Sequence, residues 1–246
     1  MSPIEREHVE FVCPTQIEVA PLQLAFASAP IPARRLVGAP EEGNGAVIID
    51  APAGWTAGGA RCEHAFELLV LDGEIEVDGR RLGQYGYLST PAGARCPALV
   101  APADARLFVD FIADVTESAL IEWDEEGWRE RPDDGNPAPA PGLMHRMLRG
   151  THEGPRAFLL RIPPGWREER TEWHDCAEAS IRLEGSLYSE RFNDGAGGLM
   201  TRHCYFWRPK HGLHSPMRSD EGAFSMITVD GHLVNHYVED EGLPPA

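Results

Sequence analysis

The sequence contains no run of about 18 consecutive apolar residues, which excludes a membrane-spanning helix. Its first residues, Met1–Glu10, are acidic and polar and lack the apolar stretch of a secretory leader, so a cytoplasmic location is expected. Basic residues are scarce: 22 Lys and Arg stand against 39 Asp and Glu, a formal net charge of −17. That field repels phosphate backbones and argues against a nucleic-acid partner, although a local pocket can still take an anion. The five cysteines (Cys13, Cys62, Cys96, Cys176 and Cys204) are odd in number and match no zinc-ribbon or C-x-x-C spacing. Without an export signal, reduced thiols are expected. Helical periodicity is almost absent, apart from the acidic stretch Val115–Trp128, which has room for one short helix.

What the chain does have is an internal repeat. Arg35–Trp55 aligns without gaps on Arg146–Trp166 at a constant offset of 111, with seven identities in 21 positions. Chance would give roughly 6–7% identity per position. Glu42-Gly43 meets Glu153-Gly154, Pro52 meets Pro163, and Gly54-Trp55 meets Gly165-Trp166. The offset extends to Glu67 and Glu178. One inserted residue then matches Leu71-Asp72-Gly73 with Leu183-Glu184-Gly185, and further insertions place Tyr87–Pro91 opposite Tyr205–Pro209. Trp55 and Trp166 take equivalent positions and are expected to plug equivalent corners rather than bind ligand.

Each half carries short apolar runs of strand type: Ala46–Asp50, Glu67–Leu71 and Leu107–Ile112 in the first, and Ala157–Ile162, Ser180–Leu183, Cys204–Trp207 and Phe224–Val229 in the second. Turn signals separate them, at Asp72-Gly73, Asp78-Gly79, Glu184-Gly185, Asn193-Asp194-Gly195 and Asp230-Gly231. Many short strands with Gly/Pro turns predict an antiparallel sandwich or barrel in each half. The Pro-rich stretch Arg131–Gly142 sustains neither helix nor central strand and reads as the linker. The expected division is residues 1–131, a linker 132–142, and residues 143–246.

The second half resembles the cupin superfamily. Glu172-Trp173-His174, with Glu178 and Gly185 at the following spacings, is similar to the first cupin motif with Glu172 in place of its leading His. His214, after Trp207-Arg208-Pro209, stands where the second motif's His falls. In the first half, Pro91–Cys96 is similar to the second motif with Cys96 in place of that His. The resemblance covers roughly residues 30–115 and 140–240. It implies an all-β chain of two tandem cupin (double-stranded β-helix or jelly-roll) barrels with little helix. Among cupins the chain is most similar to bacterial two-cupin proteins related to the anti-sigma and acetylacetone-cleaving groups.

On a strand, residues Glu172, His174, Cys176 and Glu178 share one face. The resemblance implies His174, Glu178 and His214 as ligands of one divalent transition metal (Fe, Mn, Ni or Zn), a donor set that disfavours calcium. Glu172 reads as a fourth ligand or as the general base, Cys176 as a pocket residue or thiolate ligand, and Arg182, Tyr205 and Arg208 as pocket residues orienting a small-molecule ligand. The alternative is a solvated face with Trp173 and Ala177 inside. A register error would exchange His211 for His214, while His203, His232 and His236 read as surface or hydrogen-bonded residues. The first half reads as a degenerate copy: Glu63 stands for His174, Arg61 for Glu172 and Cys96 for His214, with Glu67 kept. Function then divides between a metal-dependent enzyme, dioxygenase-like before isomerase or lyase, a non-catalytic two-barrel protein that senses a small molecule or a metal, and a structural two-barrel protein whose sites have both decayed. A homodimer is expected from the resemblance.

Overall fold

The computed structural model describes residues 6–112, 114–130, 142–190, 197–213 and 216–244. Its contacts divide the chain into two compact units, Met1–Glu7 with Pro14–Glu125 and His8–Cys13 with Glu126–Ala246. In chain order the short strand β1 (Val9–Val12) belongs to the second unit. The first unit holds β2 (Ala20–Leu22), β3 (Ile31–Ala39), β4 (Asn44–Ala51), β5 (Thr56–Ala57), β6 (Phe66–Asp72), β7 (Ile75–Val77), β8 (Arg80–Leu82), β9 (Tyr87–Thr90), β10 (Leu99–Val100), β11 (Ala105–Phe111) and β12 (Ala119–Ile121). The second adds β13 (Arg129–Glu130), β14 (Met144–Gly150), β15 (Arg156–Ile162), β16 (Trp166–Arg167), β17 (Glu172–Trp173), β18 (Glu178–Gly185), β19 (Leu187–Ser189), β20 (Gly198–Met200), β21 (Tyr205–Arg208), β22 (Met217–Ser219), β23 (Ala223–Val229) and β24 (His236–Tyr237). Among the described residues the α-helical content is one four-residue turn, Val238–Glu241.

Both units have one plan. The first pairs a seven-stranded sheet, β12-β9-β6-β11-β4-β3-β2, with a four-stranded sheet, β5-β10-β7-β8. The second repeats it as β1-β21-β18-β23-β15-β14-β13 and β16-β22-β19-β20, and adds the two-stranded pair β17-β24. All pairings are antiparallel. The apolar runs form these strands because alternate residues are needed inside: Val47, Ile49 and Ala51 of β4, and Phe66, Leu68 and Val70 of β6, enter the core with Ile75, Val77 and Leu99 of the smaller sheet. Phe158, Leu160 and Ile162 do the same in the second unit. The hairpin between β7 and β8 turns on Asp78 and Gly79, both at positive φ, the geometry of a tight hairpin turn. Trp55 and Trp166 each pack, half-buried, against the core of their own unit.

Two expectations change. Val115–Trp128 holds no helix; Ala119–Ile121 pairs with β9 as an edge strand, because sheet hydrogen bonding wins over a weak local preference. The thiols are not all reduced: Cys13 and Cys204 form a disulfide. Pairing of β1 with β21, Val12 opposite Tyr205, sets Cys13 beside Cys204, a proximity across 191 residues that local sequence cannot reveal. By its contacts the second unit takes in β1, paired with β21, and β13, paired with β14. The turn expected at Asn193-Asp194-Gly195 and most of the linker lie outside the described residues.

The outer face of the first unit's large sheet is polar yet buried. Arg6 pairs with Asp110 at 2.7 Å and donates to the Phe111 carbonyl (2.6 Å) and Asn44 Oδ1 (3.1 Å). On the same face the Tyr87 hydroxyl donates to Glu67 Oε1 at 2.9 Å. Removing one member of a buried pair leaves the other charge uncompensated, so Asp110→Ala should lower unfolding stability by about 3–5 kcal/mol in urea denaturation. Alkylation of the denatured, unreduced protein should modify three cysteines, Cys62, Cys96 and Cys176, and five after reduction, as read by intact mass.

Candidate functional site

Glu172 and His174 reach the second barrel from β17, which is held by β24 with Glu172 opposite Tyr237. The strand stops at Trp173. The chain bends at Asp175 and Cys176 before β18 begins at Glu178. The four residues therefore do not ride one continuous strand, but three of them still meet. His174 Nε2 lies 3.9 Å from Glu172 Oε1 and 4.0 Å from Glu178 Oε2, and all three side chains are buried. This overturns the solvated-face alternative for Glu172, His174 and Glu178. His174 Nδ1 sits 2.9 Å from the Val234 carbonyl, which only accepts; Nδ1 therefore carries the proton, and Nε2 faces the carboxylates. An imidazole so held is the arrangement of a metal-binding histidine.

Two buried arginines answer the carboxylates. Arg208, next to Glu178 across β18 and β21, reaches Glu178 Oε2 at 3.6 Å and Glu10 Oε1 at 3.1 Å, and lies over the Phe206 ring. Burial works against the charge on Glu10, but the hydrogen bond from His8 and the charge of Arg208 hold its carboxyl below the ordinary range. Arg182 donates to the Ser225 hydroxyl. Burial pulls its pKa down to about 10, against the favourable charge of Glu178.

Glu172, His174, Glu178, Ser180, Arg182, Ser225 and Asn235 line a cavity of about 60 Å³, whose apolar wall includes Leu160, Phe206 and Ile227. Cys176 is a core residue beside this cavity and does not line it; burial pushes its thiol up to about 12, which leaves it inert as a nucleophile. Tyr205 does not line it either. Phe206 points inward, and by strand alternation Tyr205 points to the other face of the sheet. His214 lies outside the described residues. His211 is not its substitute: it bonds Asp175 at 3.1 Å on the rim, where His236 also reaches Asp175 (3.1 Å) and stacks on Trp173. His232 is exposed and His203 is buried in a turn at positive φ.

As the side chains stand, no group of three His, Cys, Asp or Glu among the described residues is close enough to hold a metal ion. Ligands about 2.1 Å from one ion would be roughly 3 Å apart, so the present 3.9 and 4.0 Å separations are each about 1 Å too wide. The donor chemistry does fit: one oriented imidazole nitrogen and two carboxylates suit a divalent transition ion.

The first unit shows what the same shell does without such groups. Strand register sets Leu68 where the second unit has Ser180, through their partners Val109 and Ile227. Phe66 therefore takes the position of Glu178, and Val70 that of Arg182. The inserted residue falls before these positions rather than after them, so Glu67 is not the counterpart of Glu178 and faces away from the core. Glu63 is exposed. Phe26 stacks on both Phe66 and Phe111, and the three fill the interior with centroids 4.7–6.1 Å apart; Cys62 and Cys96 share a hydrogen bond beside them.

No protein-family model matches the chain, and no curated protein sequence matches it. Solved structures do. A candidate dioxygenase from Nostoc punctiforme superposes with a TM-score of 0.74 over 99% of this chain and 88% of its own, at 14% identity. Bacillus subtilis oxalate decarboxylase, as a serine-to-alanine variant, gives 0.56 over 93% and 79%, at 13% identity. Salicylate 1,2-dioxygenase from Pseudoaminobacter salicylatoxidans, as gentisate adducts, gives 0.54 over 78% and 71%, at 14% identity. These are two-cupin proteins, and the chain has their fold: two cupin barrels in tandem. At such identities the likeness establishes architecture alone.

Glu10 escaped the sequence reading because it lies in a segment that carried no motif. Glu10→Ala removes one of the two carboxylates held against the buried Arg208 and should cost about 1.5–3 kcal/mol of stability, measured by chemical denaturation.

Proposed function

We propose that the second barrel is a metal-dependent centre acting on a small oxygenated molecule, dioxygenase-like in its chemistry. The observation that carries this reading is the meeting of buried Glu172 and Glu178 at the Nε2 of His174, with Nδ1 fixed on Val234. In this reading His174, Glu178 and His214 hold one divalent transition metal, and Glu172 serves as a fourth ligand or as a base. When bound, the ion would act as a Lewis acid and bring oxygen and substrate together. The chain's own residues do the rest. Val234 fixes the imidazole, the buried walls exclude water, and Arg208 sets a positive charge 3.6 Å from Glu178 Oε2. Dimerisation and a cytoplasmic location belong to the same reading; in a reducing cytosol Cys13 and Cys204 would stand open.

A specific observation favours a second reading, a non-catalytic binding barrel. Arg208 already supplies a positive charge 3.6 Å from Glu178, and among the described residues no three ligand groups are close enough to hold an ion.

Purified protein decides between them. The enzyme reading expects about one transition-metal ion per chain by elemental analysis, lost in His174→Ala, and oxygen consumption with one of a panel of diketones and hydroxylated aromatic acids. Metal at stoichiometry without turnover on any panel member supports the binding barrel, and no metal at all supports a purely structural pair of barrels.

A further inference from the structure

The strand β1 sits on the second barrel by few contacts. It is four residues long, edges the seven-stranded sheet, and has a register break between its paired positions, Val9 opposite Trp207 and Val12 opposite Tyr205. Its one buried residue is a charge, Glu10, and Phe11 packs on the core only in part. So short an edge pairing contributes little by itself. The bond from Cys13 to Cys204 therefore carries much of the hold, because it keeps together segments 191 residues apart in the chain.

The surroundings of that bond favour its opening from one end. Cys13 is half-buried, whereas Cys204 is buried. The backbone N–H of Thr201 lies 3.3 Å from Cys204 Sγ, and the Thr201 hydroxyl 3.6 Å from it. A disulfide sulfur or a thiolate has no proton to give, so both Thr201 groups donate to it, and donors favour negative charge on the sulfur. A thiol that attacks Cys13 thus finds in Cys204 a supported leaving group. The three other cysteines are buried in the two cores, and burial pushes the Cys176 thiol up to about 12, which keeps it out of such exchange.

The strand also reaches the candidate site. Arg208 Nη2 lies 3.1 Å from Glu10 Oε1 and Arg208 Nη1 lies 3.6 Å from Glu178 Oε2. Whether β1 is seated decides how this one guanidinium is shared between two carboxylates.

We propose that Cys13 and Cys204 are a redox-active pair that latches β1 on the second barrel, opened by small thiols and closed by small disulfides, and that opening withdraws Glu10 from Arg208. A thiolate of a small dithiol attacks Cys13 Sγ, the Sγ–Sγ bond breaks, and Cys204 leaves as a thiolate that takes a proton. The second thiol of the reagent then displaces Cys13, also as a thiol, and closes the reagent's own disulfide. Two electrons and two protons pass from the dithiol to the pair, and a small disulfide reverses the exchange. With β1 released, Arg208 loses Glu10 and its charge falls more fully on Glu178. In the reading of Glu178 as a metal ligand, on which this last step rests, the opened form holds its ion less tightly, because a cation beside a ligand carboxylate competes with the ion.

The test is a redox cycle on the native full-length protein: reduction with dithiothreitol, desalting under argon, then re-oxidation with oxidised glutathione, each state read by intact mass after alkylation. Amide hydrogen exchange in Val9–Val12 should be about tenfold or more faster in the reduced form and return on re-oxidation, without passage through denaturant. Cys13→Ser should exchange at the fast rate in both conditions and lose the response; if that variant fails to fold, the cycle on the parent protein carries the test. Thr201→Val, which keeps the N–H and removes the hydroxyl, should be reduced severalfold more slowly. The proposal is overturned by free Cys13 and Cys204 thiols in the oxidised protein, by equal exchange of β1 in the two states, by a redox response that persists in Cys13→Ser, by an unchanged rate of reduction in Thr201→Val, or by a bond that re-forms only from unfolded chains. A divalent transition ion titrated into the two forms should bind severalfold more weakly to the reduced one. Equal affinity beside a responsive β1 overturns the step through Arg208 alone. No ion bound by either form, with β1 still responsive, supports the latch and counts against the metal reading instead.

Discussion

Ionised groups taken out of water must be paired, and in the second barrel that requirement shapes everything near the site. Glu10, Glu172 and Glu178 are buried against Arg182, Arg208 and His174. Arg208 is the hinge of the arrangement. It sits beside Glu178 through the β18–β21 pairing and beside Glu10 through β1, the strand that edges the same sheet. A short, poorly apolar strand such as β1 has little to hold it by hydrophobic burial alone. Its place is fixed by backbone pairing with β21, by Glu10 on Arg208 and by the Cys13–Cys204 disulfide. The disulfide closes one of the longest loops this chain can form, and long loops gain the most from closure because the unlinked chain has the most freedom to lose. The N-terminal segment is thereby part of the site's support rather than an appendage.

The fold was legible because its signals are local and repeated. Period-two apolar runs, Asx-Gly turns and the 111-residue offset each point to the same antiparallel barrel, twice over. Most of the strands foreseen fall within a residue or two of their observed ends. The failures are also physical. Ala119–Ile121 is too short to declare itself a strand and becomes one only because β9 offers an unpaired edge. β1 joins a barrel that begins more than a hundred residues later in the chain, and no property of Val9–Val12 announces that partner.

The site was half legible. Alternation along one strand brought Glu172, His174 and Glu178 together on paper, and the three do come together, but by a different route. The strand breaks at Asp175, and the bend aims His174 and Glu178 at each other. The same simple alternation misplaced Cys176, which the bend turns into the core. Tyr205, expected among the ligand-orienting residues, lies outside the cavity lining, while its neighbour Phe206 lines it. Aligning Glu67 with Glu178 failed for a related reason: a one-residue slip exchanges the two faces of a strand. An identity match of two glutamates outweighed the apolar character of Phe66, which was the better guide to what points inward.

The two barrels together isolate what makes one of them chemically capable. On equivalent strands the first unit places Phe66, Leu68 and Val70 inward, and the second places Glu178, Ser180 and Arg182. The surrounding shell keeps the same strand order in both. Three consecutive inward positions on one central strand therefore separate a packed interior, filled by a cluster of three phenylalanines, from a polar cavity. Such a replacement is costly unless every new charge finds a partner, since an unpaired buried charge destabilises more than a lost methylene. The second unit meets that cost with residues from outside the strand: Arg208 from β21, Glu10 from β1, Ser225 from β23 and the Val234 carbonyl behind His174. A polar site in a cupin barrel is on this view a property of at least four elements at once, and a motif on one strand can mark its position without supplying its support.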